Sequence, residues 1–97
     1  GFEDTIRRTS RAARQIAAIT LSHRSVVRAE VFRTVGRRAV KVAELKPRRL
    51  GPGPARILWN GRDTRKRVVP RGRYTVKVFA STGGARSDPL YLRFRVR

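Results

Sequence analysis

From Ala17 onward the hydrophobic residues recur at every second position, the period of a strand with one buried face. Ala17, Ile19 and Leu21 alternate with small or polar residues, and Ser22-His23-Arg24-Ser25 then makes a turn. Val27, Ala29 and Val31 alternate with Arg28 and Glu30 as far as Val35-Gly36. Val40 and Val42 flank Lys41 in the next run, which closes near Leu45. Residues 46–54 (KPRRLGPGP) read as a loop on proline and glycine content. Ile57 and Trp59 follow, stopped by Asn60-Gly61; then come Tyr74, Val76 and Val78, and last Leu90, Leu92, Phe94 and Val96.

Six such runs, in about 80 residues with no long helical period between them, predict an antiparallel β-sandwich of six to seven strands around one dry interior. The apolar member of each pair faces inward, and each buried Val, Leu or Phe contributes roughly 1.5–3 kcal/mol. A closed barrel is the alternative, but the 46–54 loop favours a sandwich, in which the chain crosses between sheets. Parallel βαβ units are absent, which excludes the nucleotide-binding α/β folds. Residues 1–15 lack the alternation and read as a basic lead-in or linker with helical tendency. In a helix, Arg7, Arg8, Arg11 and Arg14 would share one side. The sandwich domain takes residues 16–97.

Composition narrows the chemistry. The 97 residues contain no cysteine and one histidine, His23. Disulfides, thiolate metal sites and a cysteine nucleophile are thereby excluded, and a histidine metal cage is too. No paired carboxylates or Ser-His-Asp set stands out, so the chain reads as non-catalytic, with no cofactor and no metal. No apolar run approaches the roughly 18 residues of a membrane span, so membrane insertion is not expected. The Arg-Arg pair near the start is not followed by an apolar stretch long enough for a secretory signal. With no initiator Met, the chain reads as a module or processed piece of a longer protein.

Lys and Arg number 25 against 6 Asp and Glu, a formal net charge of +19. Arginine suits bidentate capture of phosphate or carboxylate, yet it also serves wherever a solvated charge is tolerated, and composition does not separate the two. If successive strands run antiparallel, alternate loops gather at opposite ends. One end then collects Arg37, Arg38, Arg62, Arg65, Lys66, Arg67, Arg71 and Arg97, a basic pole suited to an anionic partner. The other collects His23, Arg24, Lys46, Arg48, Arg49 and Arg86. Lys77, Arg93 and Arg95 add a positive stripe if their strands are neighbours. Phe79 and Tyr91 are the outward aromatics on those strands, a thin stacking platform for nucleic acid. Arginine-rich edges oppose sheet-to-sheet pairing, so a monomer is expected.

Two short motifs carry more specific information. In Trp59-Asn60-Gly61-Arg62-Asp63 a large inward aromatic precedes an Asn-Gly turn, and Asp63 is placed to accept from nearby backbone N–H groups. A metal or catalytic Asp63 is disfavoured because no second carboxylate lies near it in sequence. In Val69-Pro70-Arg71-Gly72-Arg73-Tyr74, proline and glycine turn the chain and Tyr74 enters a strand, as in the tyrosine corner of Ig-like sandwiches, where the hydroxyl bonds backbone.

At this spacing the two motifs resemble the Ig-like domain first recognised in the bacterial flagellar hook-capping protein. Ile19-x-Leu21, Val27-x-Ala29-x-Val31-Phe32, Gly36 and Val40 agree with it, and the likeness covers roughly residues 16–80. Asn60 stands where that family usually has Asp, and Thr64–Arg67 lacks the usual Gly before the Val. Transthyretin-like and related carbohydrate-associated sandwiches share the Pro-x-Gly-x-Tyr feature and are the nearest rivals. The resemblance implies an Ig-like or fibronectin-type fold and a non-catalytic structural or assembly module of a secreted or cell-envelope protein. Its partners would be proteins: other domains of the parent chain, or an assembly. The alternative is an anion-binding module for nucleic acid or an acidic wall polymer, using the basic pole; on that reading a cytoplasmic location is expected.

Overall fold

A computed structural model describes Thr5–Ile6 and residues 13–97. The elements are β1 (Thr5–Ile6), β2 (Arg14–Leu21), β3 (Ser25–Val35), β4 (Arg38–Glu44), β5 (Arg48–Leu50), β6 (Gly53–Trp59), β7 (Gly72–Thr82), β8 (Ala85–Arg86) and β9 (Leu90–Val96). All are strands. The six sequence-predicted runs fall on β2, β3, β4, β6, β7 and β9. The larger sheet has the order β1-β9-β7-β3-β4, with β5 on β3 and β8 on β7, while β2 and β6 form a two-stranded sheet. Pairing is antiparallel except between β1 and β9.

The two sheets bury their apolar rows against each other. The smaller contributes Ile16, Ala17, Ile19, Leu21, Ile57 and Trp59. The larger contributes Val27, Ala29, Val31, Ala43, Tyr74, Val76, Val78, Phe94 and Val96. Trp59, Tyr74 and Phe94 meet with ring centroids 5.7–5.8 Å apart, joining the layers at one end. Each such pair adds about 0.5–1.5 kcal/mol beyond the area it buries. All-β architecture with a two-layer interior is therefore what the alternating pattern encodes.

Several expectations shift. The buried positions of β4 are not simply Val40 and Val42: Ala43 is buried, Val42 is half-buried against the core, and Val40 is 47% exposed. A bulge brings Ala43 inward, because Val31 pairs with Ala43 but Phe32 pairs with Lys41, leaving Val42 without a partner opposite; Val40, paired with Arg33, stays on the inner side at the exposed end of the strand. One extra residue reverses the alternation beyond it. A second irregularity between Gln15 and Ala17 lets both Ile16 and Ala17 be fully buried. The 46–54 segment is not a plain loop, since Arg48–Leu50 pairs with Ser25–Val27 and β6 already begins at Gly53. Most of the basic lead-in lies outside the described residues. Where it is described it is extended: Thr5–Ile6 is a strand, and Arg14-Gln15 opens β2 inside the stretch read as linker. No helix occurs among the described residues.

At β7 the strand continues four residues beyond Val78 and turns through Gly83 and Gly84, both at positive φ, into β8. A Gly-Gly pair is a two-residue hairpin signal, so this element was readable and was missed. Leu90 completes the period of β9 yet is 54% exposed, lining an open depression with Ile19, Leu21 and Val78.

Candidate functional site

The segment between β6 and β7 is built by local hydrogen bonds that its sequence specifies. The Trp59 Nε1–H donates to the Arg62 carbonyl at 3.1 Å, and the Arg62 N–H donates to Asn60 Oδ1 at 3.1 Å. Gly61 between them has φ 75°, which a side chain disfavours. Asp63 Oδ1 accepts from the N–H groups of both Arg65 and Arg67 at 2.9 Å. Asp63 therefore has the turn-forming geometry read from the sequence. The left-handed position falls on Lys66, at φ 64°, within the stretch where the resembled family has Gly. The Tyr74 hydroxyl donates to the Pro70 carbonyl, and the ring is buried. Both motifs therefore close as tightly bonded corners on the aromatic cluster.

The register shows where the candidate binding residues lie. Val35 pairs with Arg38, Arg33 with Tyr74, and Gly72 with Val96. The Gly36-Arg37 turn, Arg38, Arg71 and Arg97 are consequently at one end of the larger sheet, all exposed. The 62–67 turn follows a different course. The Thr64 N–H donates to the Val42 carbonyl at 3.1 Å, which lays the turn against the outer edge of β4. Arg65, Lys66 and Arg67 are exposed there, whereas Arg62 is half-buried and donates from Nη1 to the Lys66 carbonyl. Arg62 thus holds the turn together.

Strands β7 and β9 are neighbours, so the stripe of Lys77, Arg93 and Arg95 forms on the outer face of the larger sheet. Across it Arg73 faces Arg95, Thr75 faces Arg93 and Lys77 faces Tyr91. Thr34, Arg73, Thr75, Arg93 and Arg95 rim an open depression of about 530 Å3 on this face, floored by the backbone of Tyr74 and Phe94. Among the described residues no carboxylate lines it. Glu30, further along the face, is taken by Lys41 at 2.7 Å and lies 4.0 Å from Lys77. Those contacts hold the Lys41 ammonium above its ordinary pKa of 10.5, chiefly through the hydrogen bonds to Glu30 and Glu44.

Of the outward aromatics, Tyr91 is 61% exposed. Phe79 is covered by the Arg86 guanidinium at 4.9 Å and by Lys77 at 5.7 Å. Phe32 on β3 adds a half-buried outward aromatic to the same face, as its position after Val31 in a period-two run implies. At the far end His23 is exposed, with Nδ1 2.9 Å from Ser22 Oγ. Among the described residues no group of three His, Cys, Asp or Glu could hold a metal ion. None contains a helix long and apolar enough to cross a membrane. Comparison of the chain with protein-family profiles, with curated proteins and with solved structures returned no match.

Proposed function

We propose that this domain is a non-catalytic structural or assembly module with an Ig-like, fibronectin-type sandwich fold, belonging to a secreted or cell-envelope bacterial protein and mediating protein contact or spacing. The observation that carries the reading is the pair of bonded corners, Trp59 to Arg62 and Tyr74 to Pro70, at the spacing of the hook-capping Ig-like domain. They spend the conspicuous Trp, Asn, Asp and Tyr residues on architecture, leaving surface as the working part of the molecule. Fractionation of the producing cells with an antibody against this domain tests the location: the parent protein is expected in the envelope or medium, and retention in the cytosol overturns the reading.

A second reading, binding of an anionic polymer, is favoured by one specific feature: three exposed arginines around a depression that no acidic side chain among the described residues lines.

A further inference from the structure

We propose that the outer face of the larger sheet, centred on Arg73, Arg93 and Arg95 and ending at Tyr91, binds extended single-stranded nucleic acid. The inference rests on the anion-binding reading and moves its site from the basic pole to the sheet face.

Four observations converge on this face. Arg73 and Arg95 are directly opposed across β7 and β9, both exposed. Like charges in that position destabilise a sheet, and an anion held between the two planar forks turns the repulsion into bidentate attraction. Next, Arg93 and Arg95 occupy alternate positions on β9, with Arg97 one residue past its end, so the two strand side chains repeat outward about every 7 Å. That repeat suits successive phosphates of an extended strand. The hydroxyls of Thr34 and Thr75 stand in the same depression as further donors. Finally, Tyr91 precedes Arg93 by two residues on the same side of β9, with its ring 61% exposed. An open aromatic in line with a phosphate-binding row is what a base can stack on. A bare acidic polymer has no use for the ring, and duplex recognition would call for an element that enters a groove.

The decisive measurement is fluorescence anisotropy of a short labelled oligothymidylate, titrated at several salt concentrations, with inorganic polyphosphate as a second probe. The triple variant R73A/R93A/R95A is expected to lose affinity at least about tenfold and to flatten the log affinity–log salt slope by roughly 2–3, as lost phosphate contacts dictate. A charge-matched variant, R24A/R56A/R65A, removes exposed arginines away from the face and is expected to keep the slope. Y91A is expected to weaken oligothymidylate between about fivefold and a hundredfold while leaving polyphosphate affinity unchanged. Unfolding curves verify that each variant is folded. Equal losses in the two triple variants would place anion binding elsewhere and overturn the site. An unaltered oligothymidylate affinity in Y91A would make the ligand a bare polyanion and overturn the nucleic-acid assignment. No binding of either probe by the unmodified domain would overturn the anion-binding reading itself.

Discussion

Lys66 shows how a single residue can sit against its own stereochemistry. Its φ of 64° places a β-carbon in the left-handed region, at a cost of roughly 1–2 kcal/mol that glycine avoids. Part of that gain returns as extra freedom of the unfolded chain. Lys66→Gly is therefore expected to stabilise the domain by about 0.5–1 kcal/mol, read as a higher urea midpoint with an unchanged m-value. Asp63 works in the opposite sense. Its Oδ1 satisfies two backbone donors, so Asp63→Ala leaves both without that acceptor and is expected to cost about 1–2 kcal/mol in the same assay. Residue types were a good guide here: Asn-Gly with Asp two residues on announces a turn. What they did not announce was that Lys66 would take the left-handed position, because a lysine is the wrong residue from which to infer it.

At the scale of elements, the decisive events are the interruptions of alternation. Val40 and Val42 sit at the right spacing for a half-buried strand, and only the bulge opposite Val31 and Phe32 brings Ala43 inward as well. A bulge depends on both strands of a pair, so neither strand's own sequence displays it. The same holds for Arg48–Leu50, whose composition reads as loop but whose backbone finds a partner in β3. The cross-strand contact of Lys41 with Glu30 has a definite pH signature. Because folding raises the lysine's pKa, its contribution is fully present below about 10.5 and is lost as the pH rises through the folded value. The stability difference between the unmodified domain and Lys41→Gln is expected to be constant through neutral pH and to shrink in alkali, followed as urea midpoints across a pH series. A difference that persists unchanged in strong base would show that the ammonium charge is not its source.

The whole molecule carries its charge of +19 on a fold with a thin interior. Self-repulsion opposes the compact state, and salt screens it over a Debye length of about 10 Å at 0.1 M. The melting temperature is therefore expected to rise between low and moderate sodium chloride, contrary to what a structure held by surface ion pairs would do. Only three lysine–carboxylate contacts are formed among the described residues, two of them by Lys41, so screening removes little attraction. The distribution of charge matters as much as its sum. Arg73, Arg93 and Arg95 come together because β7 and β9 are hydrogen-bonded neighbours, while the 62–67 arginines are led away along β4 by the bond from Thr64 to Val42.

What the sequence alone determined was the all-β class, six of the strands and most of the buried rows. It also determined the two corner motifs around Trp59 and Tyr74. These rest on local physics: period-two burial, turn chemistry and side-chain bonds to backbone a few residues away. Strand order, the bulges, the pairing of Arg48–Leu50 and the assembly of an arginine face came only with the tertiary structure. They are set by which backbones meet across the sheet, and residues far apart in the chain, such as Arg73 and Arg95, become neighbours only through that pairing.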